Sequence, residues 1–488
     1  MTLTHILVLS LFALLAGWAV PHRWRGWLLL VGSVLAIYWL QPANPIRNLD
    51  FWLPTASLAL TVFVWAITRP RYAVREQPLR DSRASWLGAL LILALVLAVG
   101  LTRYLGPVCC LTPSRPPDLL RVAMVLTLGS VAVAIPARLT DNRRFLPSAA
   151  ILLILVLFVL LKSEPLALAG SAWLRLQAGQ APDLASSLDL RWLGFSYLAF
   201  RLLHALRDSQ AGRLPSYSLG EFVTYAIFFP ALSAGPIDRS QHFIAELRSS
   251  ESQSSALAGR PNSSDLAAGA ERLLFGLFKK FVLADTLALI ALNSQNAVQV
   301  SSTRWMWVLL YAYGLRIYFD FSGYTDVALG IARLVGITLP ENFEHPYRKQ
   351  NLTAFWNSWH ITLAQWFRAY FFNPVTRFLR TRTQKIPTWG IILVGQLGTM
   401  ILIGLWHGIT WSFFAWGAWH GVGLFAHNRW SSWARPRLSG LAQRPRLQAA
   451  FQAAGWLLTF HYVTLGWVLF ALPSLPLAGE VFLKLAGK

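Results

Sequence analysis

The sequence predicts an all-α, polytopic membrane protein. Of 488 residues, 55% are hydrophobic and only 13% are charged, about half the charged share of an average soluble domain. Mean hydropathy is +0.47, and apolar stretches of near-spanning length recur along the whole chain. The same composition excludes intrinsic disorder, because disordered chains lack apolar residues.

A bilayer-crossing helix needs about 20 mostly apolar residues, fewer where flanking side chains snorkel. In order, the candidate segments are 4–20, 27–40, 51–68, 86–101, 119–136, 148–161, 188–206, 222–234, 273–292, 305–319, 389–406, 411–425 and 451–472. Several are short of a full crossing, so roughly ten to thirteen spanning or re-entrant helices are expected. No basic stretch precedes the first segment and further spans follow it at once, so it reads as a helix rather than a cleaved leader. Residues 1–187 contain only hydrophobic spans, and 188–488 form the informative core of one integrated membrane domain. Soluble insertions are small: the Ser-rich stretch 249–265 and the Pro-containing loop 435–446.

The charge is lopsided. Lys and Arg number 43 against 21 Asp and Glu, a net charge of +22, which first suggests an acidic partner such as a nucleic acid. The positions of the cations argue otherwise. Arg23 and Arg25 follow the first span, Arg69, Arg71, Arg75, Arg80 and Arg83 the third, and Arg138, Arg143 and Arg144 the fifth. The intervening connections carry fewer: Arg47, then Arg103 and Arg115, then Lys162 and Arg175. This alternation is the positive-inside pattern with an extracytoplasmic N-terminus. The later runs Arg377, Arg380, Arg382, Lys385 and Arg429, Arg435, Arg437, Arg444, Arg446 fit cytoplasmic loops. The lipid bilayer is therefore the expected partner, and no nucleic acid is called for. The 23 tryptophans suit membrane interfaces.

Polar residues inside apolar surroundings are the candidates for chemistry. A charge at the bilayer centre costs about 2.5–3.5 kcal/mol on insertion scales, so it faces protein or a water-filled cavity. Arg316 and Asp320 are spaced to pair on one helix face, Ser322-Gly323 is expected to weaken that helix, and Asp326 follows just beyond. This set reads either as a buried ion pair joining helices or as the polar wall of a substrate cavity. In 341–380, Thr353 is the expected N-cap of an aromatic, interfacial helix. On it Trp356 and His360 would share a face, with Asn357 on the same wall. In 401–428, His407 sits at a Trp406-His407-Gly408 break between two apolar helices. An imidazole in hydrocarbon surroundings resists protonation, and a neutral imidazole can accept a proton as a general base. His420 repeats the Trp-His-Gly pattern and is expected to serve helix packing. The two adjacent cysteines, Cys109 and Cys110, supply neither a disulfide framework nor a zinc site, and no metal-binding cluster is found. Neither a P-loop nor a G-x-S-x-G or H-E-x-x-H motif occurs.

Several blocks in order carry a family resemblance: 228–239 (FFPALSAGPIDR), 272–285 (RLLFGLFKKFVLAD), 316–347 (RIYFDFSGYTDVALGIARLVGITLPENFEHPY) with 355–363 (FWNSWHITL), 404–421 (GLWHGITWSFFAWGAWHG) and the tail 465–470 (LGWVLF). Together they resemble the membrane-bound O-acyltransferase (MBOAT) family, in particular its bacterial branch of alginate O-acetyltransferase and teichoic acid D-alanyl transferase. The resemblance implies a ring of membrane helices around a thin partition pierced by a tunnel. It also implies transfer of an acyl group, most simply acetyl, from a cytoplasmic thioester to a hydroxyl of an envelope polysaccharide or similar acceptor.

By that resemblance His407 is the catalytic histidine, acting as general base or orienting the acceptor. His360 is the second polar position, holding the donor carbonyl or stabilising developing charge. Trp406 belongs to the same block. No cofactor is expected; the donor would be acyl-CoA or an acyl carrier protein, received by Arg348, Lys349 and the Arg377–Lys385 cluster. An extracytoplasmic relay protein is a further expected partner, and the bacterial inner membrane the expected location. The chain departs from the branch at Asn357 and Ser358, where two arginines are usual, and at Ala369, where an aspartate is often found. Both changes bear on donor identity rather than reaction class. A transporter or flippase, or a non-catalytic membrane subunit of the same fold, are the competing readings. A transporter would more simply show an inverted repeat with matching broken helices, which the sequence lacks.

Overall fold

Apolar runs of this length have to satisfy their backbone groups internally, and the chain does so almost wholly with helices. The computed structural model describes residues 2–69, 78–106, 110–139, 145–252, 263–382, 386–437 and 444–488. Arg71, Arg75, Arg143, Arg144, Lys385, Cys109 and most of the two polar loops lie outside the described residues. Among the described residues the only β pairing is an isolated antiparallel bridge between Phe343 and Trp359. Among the described residues five helices are long and apolar enough to cross a membrane: Leu49–Thr68, Arg83–Tyr104, Phe145–Lys162, Thr388–His407 and Pro445–Ala471. Leu3–Trp18, Leu119–Ile135 and Leu219–Ala231 are apolar but shorter.

The chain forms two compact units. One comprises Met1–Leu273 and Val327–Pro340. Its helices are α1 (Leu3–Trp18), α2 (His22–Trp39), α3 (Leu49–Thr68), α4 (Pro78–Leu101), α5 (Leu119–Leu139), α6 (Phe145–Lys162), α7 (Glu164–Gln177), α8 (Phe195–Gln210), α9 (Leu219–Ala226), α10 (Ser240–Ser252) and most of α11 (Ser263–Leu277). Local chemistry sets several boundaries. Thr2 with His5 and Ser218 with Glu221 form reciprocal capping boxes at the starts of α1 and α9. Buried charges in this unit are compensated. Arg201, on α8, donates to the carbonyls of Ala226 (3.0 Å) and Ala231 (3.0 Å). Arg175 pairs with Asp189 at 2.9 Å, and Ser171 donates to the same carboxylate at 2.7 Å. Arg25, counted among the cations of the connection after the first span, lies in α2, is fully buried and donates to the Gly17 carbonyl at 2.9 Å.

The second unit comprises Leu274–Asp326 and Glu341–Lys488. It holds α12 (Asp285–Ala288), α13 (Ser294–Gln299), most of α14 (Thr303–Leu334), α15 (Leu352–Trp356), α16 (Ile361–Phe367), α17 (Asn373–Arg382), α18 (Thr388–His407), α19 (Trp411–Arg437), α20 (Pro445–Ala471) and α21 (Leu475–Leu485). Two π-helical stretches interrupt it, Phe278–Ala284 and Arg368–Phe372. The expected weakening at Ser322-Gly323 does not occur: α14 runs unbroken through both residues. Gly323 is needed there for packing, because a Cβ would lie 2.9 Å from the Gly276 carbonyl oxygen and the Lys280 nitrogen. The expected continuous helix from Thr353 is also replaced. Asn351 caps α15 instead, its side chain accepting the Ala354 N–H at 2.9 Å, and the chain breaks again before α16.

Candidate active site

His407 is the last residue of α18, and Trp411 opens α19 four residues later. This hairpin is tight because its glycines are needed. A Cβ on Gly404 would stand 2.2 Å from the Phe413 carbonyl oxygen, and one on Gly417 2.5 Å from that of Met400. The close approach places the half-buried His407 imidazole in an aromatic setting. Its centroid lies 4.5 Å from Trp406, 5.8 Å from Phe413, 5.6 Å from Trp416 and 4.7 Å from Phe470.

His360 reaches the same neighbourhood by a different route. It adopts the left-handed conformation (φ 46°) as the N-cap of α16, a position costly for a non-glycine residue unless its surroundings fix it. Here the fixing is visible. The Ile361 N–H donates to the Asn342 carbonyl (3.0 Å) and the Glu344 N–H to the Ser358 carbonyl (3.0 Å), flanking the bridge between Phe343 and Trp359. The imidazole is 3% exposed, with Phe321 at 4.7 Å and Trp406 at 5.9 Å between centroids. His360 and His407 therefore both abut the Trp406 indole.

The tautomer of His360 follows from its neighbours. The Asn342 side-chain oxygen accepts the Thr362 N–H (3.2 Å) and the Thr362 hydroxyl (2.9 Å), and lies 3.1 Å from His360 Nδ1. An amide oxygen only accepts, so Nδ1 carries the proton and Nε2 the lone pair. His360 lies outside the five long apolar spans, and burial pushes its pKa below the ordinary histidine value. The ring is thus a neutral acceptor at Nε2. Sequence reasoning missed Asn342, whose type and spacing carry no chemical signature.

The other candidates fall into place less uniformly. The expected shared face of Trp356 and His360 is absent, because α15 ends at Trp356. The Trp356 ring packs instead on Trp416 (5.7 Å) and His420 (5.0 Å). Asn357 is exposed and accepts a hydrogen bond from Arg368 at 2.6 Å, away from the wall on which it was expected. His420 is fully buried between Trp356, Trp416 and Gly466, consistent with packing. Asp320 does not pair with Arg316, which is exposed: it binds Lys280, while Asp326 binds Lys279 at 2.6 Å. Adjacent lysines on the π-helical stretch thus reach carboxylates six positions apart on α14. Arg348 is exposed, and Lys349 stands 3.4 Å from the Glu344 carboxylate. Among the described residues no group of three or more His, Cys, Asp or Glu could hold a metal ion.

Known proteins resemble this chain over more than half of its length. The "Probable alginate O-acetylase AlgI" of Pseudomonas syringae pv. tomato is 33% identical over 292 residues, 59% of this chain and 51% of that protein. The teichoic acid D-alanyltransferase of Streptococcus thermophilus is 31% identical over 292 residues, 58% and 68% of the two chains. The peptidoglycan O-acetyltransferase of Helicobacter pylori is 33% identical over 276 residues, 56% and 48%. The chain thus spans about half the length of several of the curated relatives it matches. Residues 143–471, which include both histidines and Asn342, match the family model for membrane-bound O-acyltransferases, and with most of its length accounted for in this way the chain belongs to that family.

Proposed function

We propose that this protein is an integral-membrane O-acyltransferase that moves an acyl group, most simply acetyl, from a cytoplasmic thioester to a hydroxyl of an envelope or extracellular polysaccharide. The observation that carries this reading is the meeting of two imidazoles from separate elements on one indole, Trp406, in an otherwise aromatic setting. The names of the similar proteins support the same class.

In the proposed reaction His407 takes the proton of the attacking hydroxyl. The oxygen adds to the thioester carbonyl, the tetrahedral oxyanion collapses, the C–S bond breaks, and the thiolate leaves with the proton held by His407. His360 cannot be the oxyanion donor in its present tautomer, because its N–H faces Asn342. Its role is instead acceptance at Nε2, of the acceptor hydroxyl or of an amide N–H in the donor arm. Arg316 and Asp320, exposed midway along the 32-residue α14, would line an aqueous path, since solvated charges at that position are otherwise costly. Acyl-CoA or an acyl carrier protein is the proposed donor, with Arg348, Arg377 and Arg380 as cations for its phosphates. We place the protein in the bacterial inner membrane with the N-terminus outside, residues 188–488 as the reacting core, and an extracytoplasmic relay protein as an optional acceptor.

The experiment is mass spectrometry of envelope glycans from cells with the gene, without it, and with His407→Ala. Loss of one O-linked ester in both altered strains is expected, with a rate in isolated membranes lowered by about 10²–10⁴-fold for the variant. An unchanged ester content in His407→Ala cells would leave a non-catalytic subunit, and solute uptake into vesicles without any acyl donor would favour a transporter.

A further inference from the structure

The positive-inside pattern leaves Arg103 and Arg115 unexplained, since they lie on a connection of the sparsely charged class. Arg175, on another such connection, pairs with Asp189, and Arg121, in the first turn of α5, pairs with Asp118 at 3.0 Å. Arg103 and Arg115 have no carboxylate partner among the described residues. Both are tied to backbone carbonyls instead. Arg103 donates to the Pro116 carbonyl, and Arg115 donates through Nε and a terminal nitrogen to that of Arg103 (3.3 and 3.2 Å).

The stretch 112–115 that carries Arg115 is anchored by a buried carboxylate. Asp50, fully buried near the start of α3, accepts the Ser114 N–H at 2.7 Å and the Ser114 hydroxyl at 2.6 Å. Thr112 closes the turn by donating to the Ser114 carbonyl at 2.6 Å. Between this loop and the ends of α2 and α4 lies a cavity of about 690 Å³, bordered by Trp39, Arg103, Thr112, Ser114 and Arg115. Its volume falls in the range of about 300–1,000 Å³ usual for ligand pockets.

Two observations identify the occupant. The cavity holds two arginines without carboxylate partners, and guanidinium forks match phosphate oxygens bidentately. It also adjoins the end of Arg83–Tyr104, a helix long and apolar enough to cross a membrane, and Trp39 borders it, as suits a site at the membrane interface. Leu101, Tyr104 and Leu105 beside Arg103 are exposed and apolar, a surface suited to acyl chains and of no use to a soluble anion. We propose that this cavity binds the phosphate headgroup of an anionic membrane phospholipid. The site lies before residue 143, outside the family match, and does not depend on the acyl-transfer reading.

The test uses the full chain in nanodiscs of phosphatidylcholine with or without phosphatidylglycerol, read by native mass spectrometry of retained lipid and by melting. Wild type and the control Arg121→Gln should retain phosphatidylglycerol and melt higher when it is present. Arg103→Gln and Arg115→Gln should lose about tenfold in retention while melting as wild type does in phosphatidylcholine alone. If Arg103→Gln melts lower there, Arg115→Gln, which touches only one carbonyl, decides. Retention unchanged in Arg115→Gln, or equal retention of phosphatidylcholine, overturns the proposal. So does displacement of the lipid by soluble glycerol phosphate or an oligouronate at equal affinity, which would make the site one for a free anion.

Discussion

The side-chain oxygen of Asn342 holds His360 in one tautomer, standing 3.1 Å from Nδ1 while two donors from Thr362 fix the orientation of the amide. Asn342→Ala should lower acyl transfer by about tenfold or more through loss of this orientation. Asn342→Asp gives a sharper result. A carboxylate beside Nδ1–H favours the imidazolium and raises the pKa of His360, so the Nε2 lone pair is lost below that raised value. Activity of Asn342→Asp should be depressed at neutral pH and recover as pH rises, which a pH–rate profile would detect. A uniform loss across pH would assign Asn342 a purely structural part.

The two lysine–aspartate pairs beside α14 should differ in what they do. The Asp326 side chain is 6% exposed and paired with Lys279, so removing one partner strands a buried charge. Asp326→Ala should cost about 2–3 kcal/mol, discounted for the partial exposure of Lys279, and Lys279→Met with Asp326→Leu should recover much of it. Asp320 is 51% exposed at its side chain, so Asp320→Asn should change stability by about 0–1 kcal/mol. Its effect should fall on acyl transfer instead. Melting in nanodiscs alongside initial rates separates the two.

What could be read from the sequence follows the physics of each feature. The membrane class, the helical fold and the His407 hairpin were legible because they rest on composition and on local Trp-His-Gly spacing. His360 was found by type, but its setting was not legible. Helical periodicity places Trp356 and His360 together, whereas the chain breaks at Asn357 and turns through a left-handed His360 that follows the bridge between Trp359 and Phe343. Asn342 was invisible because an asparagine eighteen positions away is linked to His360 only by tertiary pairing. The Arg316–Asp320 spacing misled for the same reason. A permissible local pair lost to Lys280, brought within reach by a π-helical stretch that no periodic template contains.

His242, outside the long apolar spans, offers a pH-dependent test of the first unit. Its hydrogen bond to Asp238 at 2.8 Å raises its pKa, burial lowers it, and the net shift is upward. A raised folded-state pKa contributes stability fully present below the unfolded value of about 6.5, and lost as pH rises through the folded value. Wild type should therefore melt higher than His242→Gln at about pH 6, with the gap closing by about pH 9. The effect should be small, because the His242 side chain is 49% exposed. A gap that widens with pH would mean that His242 stabilises as the neutral ring.

The α18–α19 hairpin makes the most severe demand on residue size. A Cβ at Gly417 would stand 2.5 Å from the Met400 carbonyl oxygen and 2.7 Å from the Ile401 Cα, both backbone atoms that cannot rotate away. Gly417→Ala must therefore separate the two helices, and forced overpacking of this kind costs about 1–3 kcal/mol. The separation would carry Trp416 away from His407, so acyl transfer should fall further than stability alone explains. Gly129 on α5 is the matched control. Nothing lies within 4 Å of its Cβ position, and alanine there gains helix propensity of about 1 kcal/mol. Melting curves and initial rates of Gly417→Ala and Gly129→Ala should move in opposite directions for stability. A Gly417→Ala protein with wild-type melting and full activity would mean that the hairpin is looser than these distances allow.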